Sequence, residues 1–397
     1  MNLSRLAIRN VLGSSFRSWV VVLSALLVTS FTLTLTLVLR GAETSLRLAL
    51  NRLGADIVVV PMGTADKVET ALLMGIPVRV WMPKANLEKV SAVPGVEKVS
   101  PQLYLSTLTG ASCCSVEHMF LVAYDPVTDF TIEPWLIDKT GNHLRLGEVV
   151  GGTYVFTPAG EQNIKIYGYF VTLKANLEPT GTGLDQSMFL TFETAEDIAR
   201  LSYTIAEEPL EIPRDSISAI MVRVAPDQDV TQVALDIMHA MPGVTPITSA
   251  NLFRSYRKQI TSLLRWILAM MVVVLSVSLL LIGLVFSMAA NERRRELGVL
   301  RAMGATRGFV FQSLLYEAGF LAVSGGLIGA FLTTLAVYLF RNFLVHTLGI
   351  PFLLPSVLSL IAQIAVGLGM SLASVTVAAL LPAYRISQME PAMAMRE

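Results

Sequence analysis

Four stretches of this chain carry almost no charge for about 20 residues, the length an α-helix needs to cross roughly 30 Å of hydrocarbon. The first, residues 19–39, lies between Arg17 and Arg40 and is rich in Leu, Val and Thr. Residues 266–290 make the second and 308–340 the third, interrupted only by Glu317. The fourth covers 355–381, with Pro382 expected to end it. Composition agrees, since 53% of residues are hydrophobic and only 15% charged, with a mean hydropathy of +0.60. A wholly water-soluble chain is excluded on these grounds. Thirty basic residues balance thirty acidic ones, so no excess positive field is present to hold nucleic acid. The two cysteines are adjacent, Cys113 and Cys114, which rules out a disulfide-built scaffold and a four-thiolate zinc site.

The first apolar run follows Arg5, Arg9 and Arg17, as a signal peptide would, but it exceeds an ordinary signal core and lacks a small-x-small cleavage site before Arg40. It reads as a retained helix. Basic residues in short flanks set orientation. They gather in the head and in the loop carrying Arg293, Arg294, Arg295, Arg301 and Arg307, whereas the loop between the third and fourth runs has only Arg341 and His346. Head, middle loop and tail are therefore expected in the cytoplasm of a cell whose inner membrane holds the chain. The expected fold is a multi-pass α-helical membrane protein with four transmembrane helices. A large α+β extracytoplasmic domain is inserted between helices 1 and 2.

The expected boundaries are 1–40 for the head and first helix, 41–262 for the outer domain with its stalks, and 263–290 for the second helix. A cytoplasmic segment at 291–306 precedes the third helix at 307–340. A short external loop at 341–354, the fourth helix at 355–382 and a tail at 383–397 follow. Within the outer domain, residues 57–60 read as a buried strand, 87–93 as a helix and 96–105 as a strand. Residues 217–224, 230–240 and the stretch after Gly243 repeat the pattern of strand, helix, Pro-Gly-Val and extended segment. Either a split α+β pseudo-repeat or a turn used twice explains this. Residues 146–195 look like a β-rich insertion broken at glycines. The flanks of the domain continue as helices, with Leu46, Leu50 and Leu53 on one side of the first and Phe253, Tyr256, Ile260 and Leu263 on one side of the second.

Residues 291–306 form a short amphipathic helix with Leu297, Leu300 and Met303 on one edge and a stop at Gly304. Charge and periodicity alone allow it to lie on the membrane surface or to face a cytosolic partner. The run ERRRELGVLRAMGATRGFVFQSLLYEAGFLAVSGGLIGA resembles the signature of the FtsX/MacB-like ABC transporter permease family. The tail LPAYRISQMEPAMAMRE and the head LAIRNVLGSSFRSW are similar to that family's ends. The resemblance implies a permease that is itself not an enzyme and holds no cofactor, working with a separate cytosolic ABC ATPase dimer that binds ATP and Mg. It implies also a second permease subunit, identical or paralogous, and leaves room for a periplasmic partner protein. Glu296, Leu297, Leu300, Arg301, Gly304 and Ala305 would by position form the ATPase-coupling helix. No G-x-x-x-x-G-K-[ST] loop is present, so the nucleotide site must lie in a partner.

Gly325 and Gly329 form a G-x-x-x-G pair suited to close helix packing, within the chain or between subunits. Glu317, an ionisable group inside the third run, is expected to hydrogen-bond a neighbouring helix rather than relay protons. In the outer domain Cys113, Cys114 and His118 offer thiolate and imidazole donors for a metal or haem, or a vicinal disulfide; Glu117, Asp125, Asp129, Glu133 and Trp135 follow them, and His143 and His239 read as isolated surface residues. The leading function is ATP-coupled export or extrusion from the outer leaflet or periplasm. The rivals are a membrane regulator that activates a periplasmic partner without transport, and a metal-, haem- or thiol-handling transporter using Cys113 and Cys114. If the last holds, Cys113→Ser with Cys114→Ser leaves thermal unfolding unchanged and abolishes metal or haem uptake by the purified chain; equal uptake by parent and variant discards it.

Overall fold

The computed structural model describes residues 15–106, 119–157, 163–206, 208–292, 299, 301–346 and 352–388. Helix α1 (Ser15–Leu53) leads to β1 (Ile57–Pro61), α2 (Ala65–Met74), β2 (Met82–Pro83), α3 (Asn86–Ser91) and β3 (Val96–Ser106). Then come β4 (Phe120–Tyr124), α4 (Glu133–Thr140), β5 (Glu148–Gly151), β6 (Asn163–Ile166) and β7 (Tyr169–Asn176). A 3-10 turn (Gly183–Gln186) precedes β8 (Ser187–Thr191), α5 (Phe192–Ile205), β9 (Ser216–Ile217), β10 (Ala219–Val224), α6 (Val230–Ala240) and β11 (Val244–Thr248). Three long helices close the chain, α7 (Arg254–Glu292), α8 (Arg307–His346) and α9 (Val357–Ser387). Two compact units result. One holds the described residues of 1–40, 259–341 and 354–397, the other those of 41–258 and 342–353.

The second unit is built on a mixed nine-stranded sheet in the order β11-β1-β10-β3-β4-β8-β5-β7-β6, with β2 and β9 paired separately. β1 pairs antiparallel with both β10 and β11, and β10 pairs antiparallel with β3. The strand-helix-strand units β1-α3-β3 and β10-α6-β11 are therefore interlocked, each placing one strand between the two of the other. That is the split α+β arrangement which the repeated Pro-Gly-Val pattern suggests. The apolar run of β1 is buried from Ile57 to Val60, and Val90 of α3 and Val233, Ala234 and Ile237 of α6 pack on Ile57, Val59, Ile220 and Val222. The two turns differ locally. Gly95 has φ +87° and leaves no room for a side chain beside Val233, whereas Gly243 is open and outside the left-handed region. Residues 146–195 supply β5 to β8, which with β4 ahead of them complete the sheet over a second core, in which Ala195 and Ile198 of α5 meet Leu121, Val149, Val171 and Met188. Thr191 and Asp229 cap α5 and α6 by accepting the Thr194 and Thr231 amides.

In the other unit, four helices are long and apolar enough to cross a membrane, within Ser18–Leu53, Ile260–Ala289, Arg307–Arg341 and Val357–Ser387. Without water, each backbone polar group is satisfied inside its helix, and association rests on close packing. Helix α1 sits in a groove of small residues. A Cβ on Gly329 would lie 2.6 Å from the Leu26 carbonyl oxygen, and one on Gly325 2.9 Å from Ala25 Cβ. Long hydroxyl hydrogen bonds add to the fit, from Ser30 to Gly329 O at 3.3 Å, Thr29 to Gly367 O at 3.4 Å and Ser371 to Ala25 O at 3.3 Å. Val21, Ala25, Ile282, Phe286, Ala318, Leu321, Val375 and Ala379 draw all four helices into one core, while Leu33, Leu37 and Ala330 join α1 and α8, with Leu360 and Ile364 of α9 against them. Trp266, Val272, Val273 and Val277 of α7 remain exposed.

Pro382 does not end the fourth helix, which continues to Ser387. A missing N–H frees one carbonyl a turn earlier, a local loss that neighbouring helices accommodate. The groove gives a sharp expectation. Gly325→Leu should lower the unfolding midpoint of the detergent-purified chain by an amount equivalent to about 1–3 kcal/mol of overpacking, whereas Gly369→Ala, with nothing within 4 Å of its Cβ, should leave it unchanged.

Candidate functional site

The residues of functional interest fall into three places: the C-terminal end of α1, the polar hub beneath α4, and the segment between α7 and α8. Beyond Gly41, α1 turns Ala42, Ser45, Leu46 and Ala49 inward, rather than the expected stripe of Leu46, Leu50 and Leu53. Ser45 is fully buried and its hydroxyl donates to the Thr180 carbonyl at 2.7 Å. About two turns later the Arg52 guanidinium donates to the Glu178 carbonyl at 2.6 Å and to the Glu178 carboxylate at 3.2 Å, and lies 4.2 Å from the centre of the Trp135 ring. Lys139 of α4 holds the other carboxylate oxygen of Glu178 at 2.7 Å. Lys139 first, and then Arg52, holds the Glu178 carboxyl below its usual range, while burial lowers Arg52 itself. A planar, always charged group with five donors suits a joint that must bond a carbonyl and a carboxylate while lying flat on an indole.

The segment that receives Ser45 is held in shape by Asp185. Its carboxylate accepts the Thr180 and Gly181 amides and the Thr180 hydroxyl, each at 2.7 Å. Burial nevertheless outweighs these bonds and raises the Asp185 pKa. At the start of α7, Phe253 has a positive φ of +66° and is buried, and the Arg257 guanidinium donates to the Ala250 and Leu252 carbonyls, so a side chain fastens the turn that leads into the helix.

Asp129 is the hub under α4. One carboxylate oxygen takes the amides of Thr131, Ile132 and Glu133 at 2.8, 2.6 and 2.9 Å, and the other takes the Ser100 hydroxyl at 3.0 Å. It thus satisfies the first amides of a helix whose own start, at Glu133 and Pro134, has no side-chain cap. Trp135 is carried toward Arg52 by that helix. His143 is not isolated, because its Nδ1 bonds the buried Glu133 carboxylate, 10 residues away. Burial first, then Glu133, pushes the Tyr124 hydroxyl well above its ordinary pKa.

Of the coupling-helix residues, Arg301, Gly304 and Ala305 are described, while Glu296, Leu297 and Leu300 lie outside the described residues. Arg301 is helical, Gly304 takes φ +97° and closes the turn through its amide to the Arg301 carbonyl at 3.0 Å. Thr306 then caps α8, and Arg307 donates to Gln388 past the end of α9 at 2.8 Å. Val299 and Met303, one turn apart, are exposed. Glu317 is buried within the helix bundle, and Gly325 and Gly329 are filled by α1 of the same chain. Cys113, Cys114 and His118 lie outside the described residues, and among the described residues no three His, Cys, Asp or Glu side chains gather as a metal site.

The FtsX-like permease C-terminal family matches residues 268–391, the span that contains the second to fourth membrane helices and the segment between α7 and α8. Those residues carry the FtsX-like permease match, and the chain as a whole resembles ABC transporter permeases. It is similar to two uncharacterized ABC transporter permeases from two strains of Mycobacterium tuberculosis, each 23% identical over 92% of this chain and 94% of the relative. Solved structures resembling it include the periplasmic region of MacB from Actinobacillus actinomycetemcomitans, at 11% identity and a TM-score of 0.31 over 52% of this chain and 95% of that one. Another is the extracellular domain of the noncanonic ABC-type transporter YknZ from Gram-positive bacteria, at 9% identity and a TM-score of 0.29 over 49% and 99%. The four long apolar helices, three of them touched by the permease match, make the chain a multi-pass membrane protein.

The joints were invisible to periodicity because their partners are far apart in sequence, 126 residues between Arg52 and Glu178 and 135 between Ser45 and Thr180. The Asp129 hub separates structure from chemistry by experiment. Asp129→Ala strands three amides and should cost about 3 kcal/mol or more of unfolding free energy, at roughly 1–3 kcal/mol for each unsatisfied group left dry. Asp125→Ala, which loses only the Val127 amide and Thr128 hydroxyl at the surface, should cost less than about 1 kcal/mol; chemical unfolding of the two variants decides.

Proposed function

We propose that this chain is the transmembrane subunit through which ATP hydrolysis in a separate cytosolic ATPase moves the α+β unit, driving export or extrusion of a substrate from the outer leaflet or periplasm. In this reading the membrane is the inner membrane, both termini are cytoplasmic and residues 41–262 face outward. The observation that carries the proposal is α1, a single helix from Ser15 to Leu53 whose first part is locked among Gly325, Gly329 and Gly367 and whose last part is bonded through Ser45 and Arg52. A helix fixed at both ends moves as a rod more readily than it bends, because bending breaks main-chain hydrogen bonds.

The cytosolic contact is assigned to Glu296, Leu297, Leu300, Arg301, Gly304 and Ala305. Apolar side chains on one edge enter a groove of the ATPase, and Arg301 lies beside them. Gly304, at φ +97°, sets the angle at which this short helix meets α8. The second permease is expected to pair through faces other than the α1 groove, which is occupied.

The test is reconstitution with the partner ATPase in lipid vesicles. Leu297→Asp with Leu300→Asp should abolish co-purification and reduce stimulated ATP hydrolysis at least tenfold, while leaving the unfolding midpoint unaltered. Full stimulation by the double variant contradicts the assignment. ATP-dependent movement of a compound across the vesicle membrane supports export, and nucleotide-dependent activation of a periplasmic partner without movement supports the regulator.

A further inference from the structure

Phe352 stands five residues before the first residue of α9, in a stretch bounded in sequence by Pro351 and Pro355. It is buried, with 5% of its surface exposed, although it belongs to a short connection between two membrane helices. Two glycines make room for it. A Cβ on Gly41 of α1 would fall 2.5 Å from the Phe352 ring, and one on Gly181 would fall 2.7 Å from the Phe352 carbonyl carbon and 2.9 Å from the Leu353 amide. The Phe352 amide donates to the Gly181 carbonyl at 3.0 Å. Gly181 has φ +71°, so the slot needs glycine there for its backbone as well as for its width.

The slot is stiff. Asp185 fixes the amides of Thr180 and Gly181, Thr180 shares a hydrogen bond with the Thr182 hydroxyl, and Ser45 ties the Thr180 carbonyl to α1. Gly183 behind it packs its backbone against Gly75, with no space for a side chain on either. Nothing in this wall is the flexible end of a side chain. The plug, by contrast, is one aromatic ring and one hydrogen bond from the Phe352 amide.

We propose that Phe352 is a detachable latch that joins the lead-in of the fourth membrane helix to the stalk and to the 180–182 loop, seated in the resting chain and released when the ATPase closes. This rests on the proposed coupling function and adds a third connection to those through α1 and α7. Chain length makes the latch effective, since five residues span at most about 17 Å; movement of α9 beyond that reach must pull the ring out. Loss of one buried aromatic contact and one hydrogen bond from the Phe352 amide is a small enough cost for nucleotide binding to supply.

Hydrogen exchange of the full chain bound to its ATPase, in vesicles, tests the latch. In the resting state Phe352→Ala should speed exchange at the Gly181 and Thr182 amides and at residues 42–49 at least tenfold, while Phe352→Leu restores most of the protection and Leu354→Ala changes nothing. Unaltered exchange in Phe352→Ala overturns the seat. With the parent chain, trapping the ATPase with Mg-ATP and vanadate should expose the Phe352 amide together with those of Gly181 and Thr182. If residues 42–53 respond to nucleotide and Phe352 does not, the latch is wrong and the coupling function stands. If neither responds, the coupling function fails and the latch falls with it.

Discussion

The closeness of α1 to α8 sets the terms for the rest of the molecule. In hydrocarbon there is no aqueous penalty to drive helices together, so association depends on how near two backbones can come. At Gly325 and Gly329 they come so near that a single methyl group would collide with Ala25 or with the Leu26 carbonyl. This contact uses the small-residue stripe within one chain. It holds still the first half of a helix that is 39 residues long, whose last part carries the first residues of the α+β unit.

In that last part the chemistry changes from packing to hydrogen bonds and charge. Ser45 and Arg52 each bond a main-chain carbonyl of the 178–180 segment, and Asp185 gives that segment a fixed shape. A joint of this type has direction, which an apolar contact lacks, because a donor satisfied by one carbonyl fixes the rotation of the helix that bears it. Trp135 under Arg52 links the joint to α4, and Asp129 links α4 to Ser100 of β3 in the sheet. The path from helix to sheet thus passes from an exposed ion pair at Glu178, through one ring, to the buried carboxylate of Asp129.

Much of this architecture was legible in the sequence and some was not, for identifiable reasons. Hydropathy is a local property, so the four long helices and the apolar strand β1 announced themselves, as did α6, which spans Val230–Ala240 as expected. The repeated Pro-Gly-Val segments pointed to the interlocked units of the sheet. Helices α2 and α4 are not expected although the shorter α3 is, because only α3 is followed by a Pro-Gly stop; the signals that mark α2 and α4 are lone C-terminal glycines, Gly75 and Gly141, at φ +67° and +73°. Asp129, Glu133 and Trp135 were noticed for their chemistry, but their partners Ser100, His143 and Arg52 come from other elements and no spacing rule reaches them. Pro382 was read as a stop because helix interiors in water rarely tolerate it, and a packed bundle relaxes that rule.

Under the proposed function, work done by the ATPase displaces the α+β unit. Spin labels at Val127, 91% exposed on that unit, and at Trp266, 71% exposed in the first half of α7, report on it directly. Their separation should be measured in vesicles with the partner ATPase empty and then trapped with nucleotide. A shift of the whole distance distribution by several ångströms on trapping is expected; identical distributions in the two states, with the ATPase demonstrably bound and closed, would contradict the account.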